Sequence, residues 1–368
     1  MRVLFIDDDE TSVQDALEKL KSDGHECIYN TFENVGAKVK DSRPDIVILD
    51  MMQGVVEDPT GTGGITSFED IWNTRFCPII AYSANPDLLD EAPDGHADHP
   101  FVAKISKGKN SEDNLSTKVQ EFKNRLEIIE NTRTEIDGIL QNTIREVVPY
   151  IFREEPELGL TKEEAIRHLS RRRVAASMDK DLLYCAKIAP WEQYIYPPLD
   201  SSPELGDILL EKLHNTNTAE GYKVILSPSC DLVTGGGRGC KVENVLVACC
   251  DPVAEMLDKA QIGKKEDKLT AVLTQGYVKE FVPLPALPGV IPNMVINLKK
   301  LQLIPYSVIK NEDETNVQFL RIASIDSPFK EQISWAYMQT ACRPGVPDRN
   351  FEVWKEQIFP KATIGQEA

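Results

Sequence analysis

The chain has 368 residues, 27% charged and 41% hydrophobic, with a formal net charge of −18. Its length predicts two or three domains with ordinary cores, and its acidic balance argues against a nucleic-acid binder. No apolar run reaches the roughly 18 residues of a membrane span, and eight cysteines behind an opening without a secretory signal predict reduced thiols in the cytoplasm.

In chain order, Val3–Ile6 is an apolar run stopped by Asp7-Asp8-Asp9, and Ile46–Leu49 is stopped by Asp50. The run 78–82 ends in Ser83, and the short run Phe101-Val102-Ala103 ends in Lys104. Helix-compatible segments lie between them. This alternation predicts a parallel α/β sheet, whose ligands bind beyond the carboxyl ends of the strands. Carboxylates gathered at one sheet edge repel unless a cation joins them, and an all-oxygen set suits Mg²⁺. A lysine and a small hydroxyl beside them would supply a counter-charge and a hydrogen bond to a transferred phosphoryl group. Asp50 is then the nucleophile, forming an aspartyl phosphate. The plainer alternative is that each polar residue merely ends its strand.

With those residues placed, residues 1 to about 110 resemble the receiver domain of a two-component response regulator. The resemblance implies a doubly wound, five-stranded parallel sheet and a histidine kinase or phosphotransfer protein as partner. It implies that Asp7 and Asp8 hold Mg²⁺ together with Asp50, the phospho-acceptor, and with the carbonyl of Met52. Ser83 matches the hydroxyl that bonds the phosphoryl group, Lys104 the lysine that pairs with it, and Phe101 the switch aromatic three residues before that lysine. Gln53 and Ile105 stand where the family commonly has proline. The loop after Asp50 is rich in glycine (Gly54, Gly61, Gly63, Gly64) but lacks a lysine-bearing phosphate-loop pattern. After Ser83, Asn85-Pro86 and Ala92-Pro93-Asp94-Gly95 leave little room for a full helix, so the dimer face of most relatives is not expected here.

Residues 111–152 predict a long helical linker. Ser111 is a candidate N-cap with Glu112 and Asp113 in the first turn. Leu115, Val119, Phe122, Leu126, Ile129, Arg133, Ile136, Leu140, Thr143 and Val147 follow at 4-3 spacing, a coiled-coil pattern that predicts a parallel homodimer. Two alternatives stay open. The first half packs on the receiver's own sheet, and the second half packs on the C-terminal domain.

Residues 153–200 are transitional. Thr161 to Glu164 is a capping box opening a helix through Ile166 and Leu169. That helix carries Arg171-Arg172-Arg173, a solvated or acid-facing basic face in preference to a DNA-reading one, since Pro190 leaves no second helix at the required spacing. The acidic charge sits mainly in the first part: residues 1–112 carry 22 acidic and 10 basic side chains.

From about 201 to 368 six short runs predict strands: 206–210, 222–227, 242–248, 269–273, 277–283 and 319–325, with helices at 330–340 and 351–358. This β-rich domain, an SH3-like barrel or a curved sheet with flanking helices, weakly resembles SH3-like modules of bacterial proteins. Cys230, Cys240, Cys249 and Cys250 surround a glycine-rich loop and offer four thiolates for zinc. Buried structural cysteines are the alternative, because the spacing lacks paired knuckles. Cys230 with His214 as a nucleophile and base, and Arg238 as an anion site, are weaker readings.

The expectation is a phospho-accepting signalling protein whose helical linker relays its state to a protein- or ligand-binding module. In layout it is similar to bacterial phosphorelays that guard against phage. A phosphate sink without output, or a receiver-gated enzyme, is the alternative.

Overall fold

The computed structural model describes every residue except 54–61, 154–160, 185–186, 200–201, 236, 312–316, 343–348 and 360–368. Gly54 and Gly61 therefore lie outside the described residues. The chain divides into two compact units, Met1–Leu183 and Tyr184–Ala368.

The first unit is built on five parallel strands: β1 (Arg2–Ile6), β2 (Glu26–Asn30), β3 (Ile46–Leu49), β4 (Ile79–Ser83) and β5 (Val102–Ser106). They lie in the order β2-β1-β3-β4-β5. Helices α1 (Gln14–Ser22), α2 (Val35–Ser42), α3 (Thr62–Thr74) and α4 (Ser111–Glu146) cover the two faces. Successive strand side chains point to opposite faces, which explains why the central strands β1, β3 and β4 carry buried apolar residues on both faces. Leu4, Ile6, Val47, Leu49, Ile79 and Ala81 pack with Val39, Phe68 and Ile71 of α2 and α3. Val3, Phe5, Ile46, Ile48, Ile80 and Tyr82 pack with Leu17 and Leu20 of α1 and with Leu115, Val119 and Phe122 of α4. Each fully buried Val, Leu, Ile or Phe among them contributes about 1.5–3 kcal/mol by leaving water.

Between β4 and β5 the prolines do what their spacing predicts. Two short 3₁₀ turns, Pro86–Glu91 and Pro93–Asp98, stand in place of a full helix. Trp72, Phe76, His99 and Phe101 form a row of ring contacts beside them, continuing to Phe122.

Helix α4 runs for 36 residues. Its cap is Asn110, in the left-handed region at φ 62° and without a side-chain cap bond, rather than Ser111. The Ser111 hydroxyl is used elsewhere: it accepts from Gly108 N at 3.2 Å and lies 2.6 Å from the Tyr82 hydroxyl. Leu115, Val119 and Phe122 make one buried stripe on the sheet. Beyond it, Ile128, Ile129 and Ile144 are exposed. Helices α5 (Val148–Arg153) and α6 (Lys162–Tyr184) follow. The capping box forms as its residues require: Thr161 N donates to Glu164 Oε2 at 2.9 Å, and Glu164 N to Thr161 Oγ1 at 3.2 Å. Arg171, Arg172 and Arg173 are exposed, and Arg173 lies 3.7 Å from Glu146 on α4.

The second unit contains β6 (Tyr194–Ile195), β7 (Asp207–Glu211), β8 (Tyr222–Ile225), α7 (Ser229–Leu232), β9 (Asn244–Pro252) and α8 (Val253–Lys259). Helix α9 (Glu266–Gln275), β10 (Phe281–Leu284), β11 (Met294–Pro305), β12 (Ile309–Lys310), β13 (Phe319–Ile325), α10 (Phe329–Ala341) and α11 (Phe351–Ile358) complete it. The strands make one sheet in the order β10-β11-β9-β8-β7-β13-β12, with β6 pairing β13. All pairs are antiparallel except β12 with β13.

Two expectations for this unit change. Residues 269–273 belong to helix α9, because Leu269 and Val272 share one helical face, Glu266 and Asp267 favour its N-terminus, and Gly276 ends it at φ 80°. The sheet also contains β11, a 12-residue strand absent from the predicted runs. Its first half is buried but includes Asn297, its second half carries Lys299 and Lys300, and its register shifts between Ile296 and Leu301. That mixture hides the alternation a strand is recognised by.

One ionic pair is fixed inside this sheet. Arg321 Nε lies 2.7 Å from Asp207 Oδ2, and both side chains are fully buried. Asp207 also accepts from the Ser324 hydroxyl at 2.5 Å and from Glu204 N at 2.7 Å. These bonds satisfy a carboxylate that burial alone would expel.

Candidate phosphoryl-acceptor site

Strands β1 and β3 are neighbours in register, Ile6 opposite Leu49. The residues that follow them, Asp7 and Asp50, therefore leave the sheet side by side. Carboxylate oxygens of Asp7, Asp8 and Asp50 all lie within 4.8 Å of one another, and this is the only such acidic, histidine or cysteine cluster among the described residues. Asp7 and Asp50 are buried, and Asp8 is exposed.

The backbone around the cluster is tightly held. Asp50 N donates to Ile6 O at 2.9 Å, and Met52 N donates to Asp50 Oδ1 at 3.0 Å. Asp9 N donates to Asp7 Oδ1 at 2.9 Å, and the Tyr29 hydroxyl to Asp7 O at 2.7 Å. Gly64, at the start of α3, sits against the backbone of Met51 with no room for a Cβ. Ser83 ends β4, the next strand over. It is fully buried, and its hydroxyl accepts from Asn85 N at 3.3 Å.

The cation in the cluster is Lys107. Its ammonium donates to Asp7 Oδ2 at 2.5 Å, to Asp50 Oδ2 at 2.6 Å and to the Ser12 hydroxyl at 3.1 Å. Burial works against the charge on Lys107, but the bonds to Asp50 and Asp7 outweigh it and hold the ammonium above the ordinary lysine value. Burial raises the Asp7 carboxyl above its ordinary value, even with Lys107 bonded to it. A dense carboxylate set that one ammonium only partly offsets fits a hard divalent cation. Asp7, Asp8 and Asp50 are the side chains that would hold Mg²⁺.

Two of the expected residues are elsewhere. Lys104 lies in the middle of β5, opposite Ala81, and its ammonium pairs with Asp90 and, at 3.6 Å, with Asp87. Phe101 precedes β5, at the end of the sheet away from the carboxylates, where it packs on Phe76 and Phe122. The physical reason is strand length. The run ending at Ala103 continues through Ile105 and Ser106, so the residue just past the strand is Lys107, as Asp7 and Asp50 are just past theirs. Counting three residues back from Lys107 leads to Lys104, so the expected aromatic position carries a lysine. The residue after Lys107 is Gly108.

The four cysteines offered for zinc, Cys230, Cys240, Cys249 and Cys250, do not gather. Cys230 is exposed on α7, while Cys240 Sγ lies 3.3 Å from Asp231 O. Cys249 and Cys250 are adjacent in β9 and face opposite sides of the sheet, with Cys250 buried in the core against α10. Zinc coordination by these four thiols is therefore not supported. His214 lies 3.6 Å from Glu211, and the Arg238 guanidinium donates to the Cys230 carbonyl. Neither arrangement supplies a base to a thiol or an open anion site.

No protein-family model and no curated protein matches the chain. Among solved structures it is similar to the signal receiver domain of a modulated diguanylate cyclase from Desulfovibrio desulfuricans G20. The identity is 19%, the coverage 34% of this chain and 96% of that one, and the TM-score 0.28. A response regulator from Desulfuromonas acetoxidans is 20% identical over 34% of this chain and 98% of its own, with a TM-score of 0.26. The BeF3-activated receiver domain of RstA from Klebsiella pneumoniae is 18% identical over 33% and 98%, with a TM-score of 0.26. With TM-scores this low, the likeness adds nothing to what the side chains of the cluster establish.

Proposed function

We propose that the first unit accepts a phosphoryl group on Asp50 from a histidine kinase or phosphotransfer protein. The observation that carries this reading is the Lys107 ammonium held between Asp7 and Asp50, with Ser83 ending the strand next to β3. An Asp50 carboxylate oxygen attacks phosphorus, the bond from phosphorus to the donor breaks, and the donor atom leaves with the electron pair. Lys107 offsets charge on the transferred oxygens, and the Ser83 hydroxyl donates to one of them. Bound Mg²⁺ would supply a counter-charge to the phosphoryl oxygens.

Helix α4 begins four residues after Lys107 and extends past the sheet with exposed isoleucines, which favours transmission through it and pairing with a second copy. The second unit is the module that receives the signal, binding a protein or a small ligand. A cleft of about 760 Å³ lined by Tyr277, Lys279, Glu280, Lys299, Met338 and Thr340 is where a ligand would fit. No described helix is long and apolar enough to cross a membrane.

The test is intact mass after treatment with acetyl phosphate and Mg²⁺. One phosphoryl adduct on the wild type, absent from Asp50→Asn and absent without Mg²⁺, is the expected result. No adduct on the wild type, with acetyl phosphate and with candidate kinases alike, overturns the reading.

A further inference from the structure

Tyr82 and Ser83 are consecutive in β4 and both are buried, but strand geometry sends them to opposite faces. Ser83 stands at the carboxylate edge. Tyr82 lies under α4 in the cluster with Leu115, Val119 and Phe122. Its hydroxyl is 2.6 Å from that of Ser111, the first residue of α4, and the contact is buried.

Lys107 and Ser111 are the two ends of one short loop. Lys107 N donates to Ser83 O at 2.8 Å, so the loop is anchored to β4 where it starts. The Ser111 hydroxyl accepts from Gly108 N at 3.2 Å, and Ser111 N donates to Gly108 O at 3.1 Å. Asn110 sits between them at φ 62°, a conformation that leaves the loop little freedom to absorb a displacement. A movement of Lys107 is thus delivered to Ser111, and Ser111 is tied to Tyr82.

We propose that Tyr82 and Ser111 are the positioning pair through which the state of the Asp50 site is passed to helix α4, a regulatory role that rests on the phosphoryl-acceptor reading above. The phosphoryl group adds negative oxygens beyond the Asp50 carboxylate. Lys107 exchanges its bond to Asp7 for those oxygens, and Ser83 turns its hydroxyl to the same group. The two shifts reach α4 from both sides of the Tyr82–Ser111 contact. An aromatic switch side chain is not required for this route, consistent with Lys104 at that position.

The experiment uses the full chain as wild type, Tyr82→Phe, Ser111→Ala and Ser111→Thr, with and without acetyl phosphate and Mg²⁺. Adduct formation is read by intact mass, and amide exchange is read over residues 108–126. All four proteins are expected to take one phosphoryl group on Asp50 at similar rates, releasing acetate. In the wild type the modification should change exchange at the start of α4 by about fivefold or more. Tyr82→Phe and Ser111→Ala should show no such response, and Ser111→Thr, which keeps the hydroxyl, should restore it. An equal response in Tyr82→Phe, or none in a wild type that carries the adduct, overturns the coupling. No adduct on the wild type overturns the acceptor reading and the coupling with it.

Discussion

The ammonium of Lys107 lies 2.6 Å from Asp50 Oδ2 although the two residues are 57 positions apart in the chain. Lys104, in β5, turns instead to Asp87 and Asp90 on the neighbouring 3₁₀ turn. Two lysines three residues apart thus have different work, and their substitution separates them.

Lys107→Ala should slow phosphoryl transfer from acetyl phosphate by about 10²–10³, the effect of removing one preorganised stabilising group from a reacting centre. Lys104→Ala should stay within about twofold of the wild type, because a partly exposed ion pair contributes little. Initial rates of adduct formation decide between them. Equal loss in both variants would return Lys104 to the site.

The pair Asp207–Arg321 predicts a stability effect confined to the second unit. Asp207→Leu removes the carboxylate from the buried Arg321 guanidinium, which also donates to Asn311 Oδ1 at 3.1 Å, and should destabilise this unit by about 3 kcal/mol. Replacing both, as Asp207→Leu with Arg321→Met, should recover most of the loss, since a buried pair is often exchangeable for apolar residues of similar volume. Denaturant unfolding of the single and double variants measures the difference.

Thiol chemistry gives a third prediction, with a defined pH dependence. Among the described cysteines, Cys230 and Cys342 are exposed and should be alkylated first near neutral pH. Burial pushes the Cys77 thiol from 9.0 up to about 12, so it stays protonated and unreactive until the first unit opens. The stability that follows from keeping Cys77 neutral is fully present below pH 9 and is lost as pH rises through about 12. Peptide mapping after timed alkylation at several pH values checks both statements.

Much of the first unit is legible in the sequence because its three central strands, β1, β3 and β4, are buried on both faces, so each is an apolar run whose closing polar residue marks the sheet edge. Asp7, Asp50 and Ser83 follow from that rule alone. Lys107 does not, because β5 lies at the edge of the sheet and carries Lys104 and Ser106 within it. A polar residue inside an edge strand looks like the end of that strand. The alternation through Ile105 and the glycine after Lys107 were the available signals. In the second unit, β11 escapes for a related reason, as its exposed half is charged. The Asp207–Arg321 pair could not be foreseen, since it depends on a pairing between strands more than a hundred residues apart.

Gly63 and Gly64 bring the start of α3 directly against Gln53 and the backbone of Met51. The two ends of the segment 54–61 are therefore fastened beside each other by contacts that do not involve the segment itself. For any flexible connection between two fixed points, doubling its length costs only about 0.6 kcal/mol. The chain can be lengthened, shortened or given a new sequence there while Asp50 keeps its place. Insertion of a short reporter between Gln53 and Thr62 should therefore leave the Asp7–Lys107–Asp50 contacts in place.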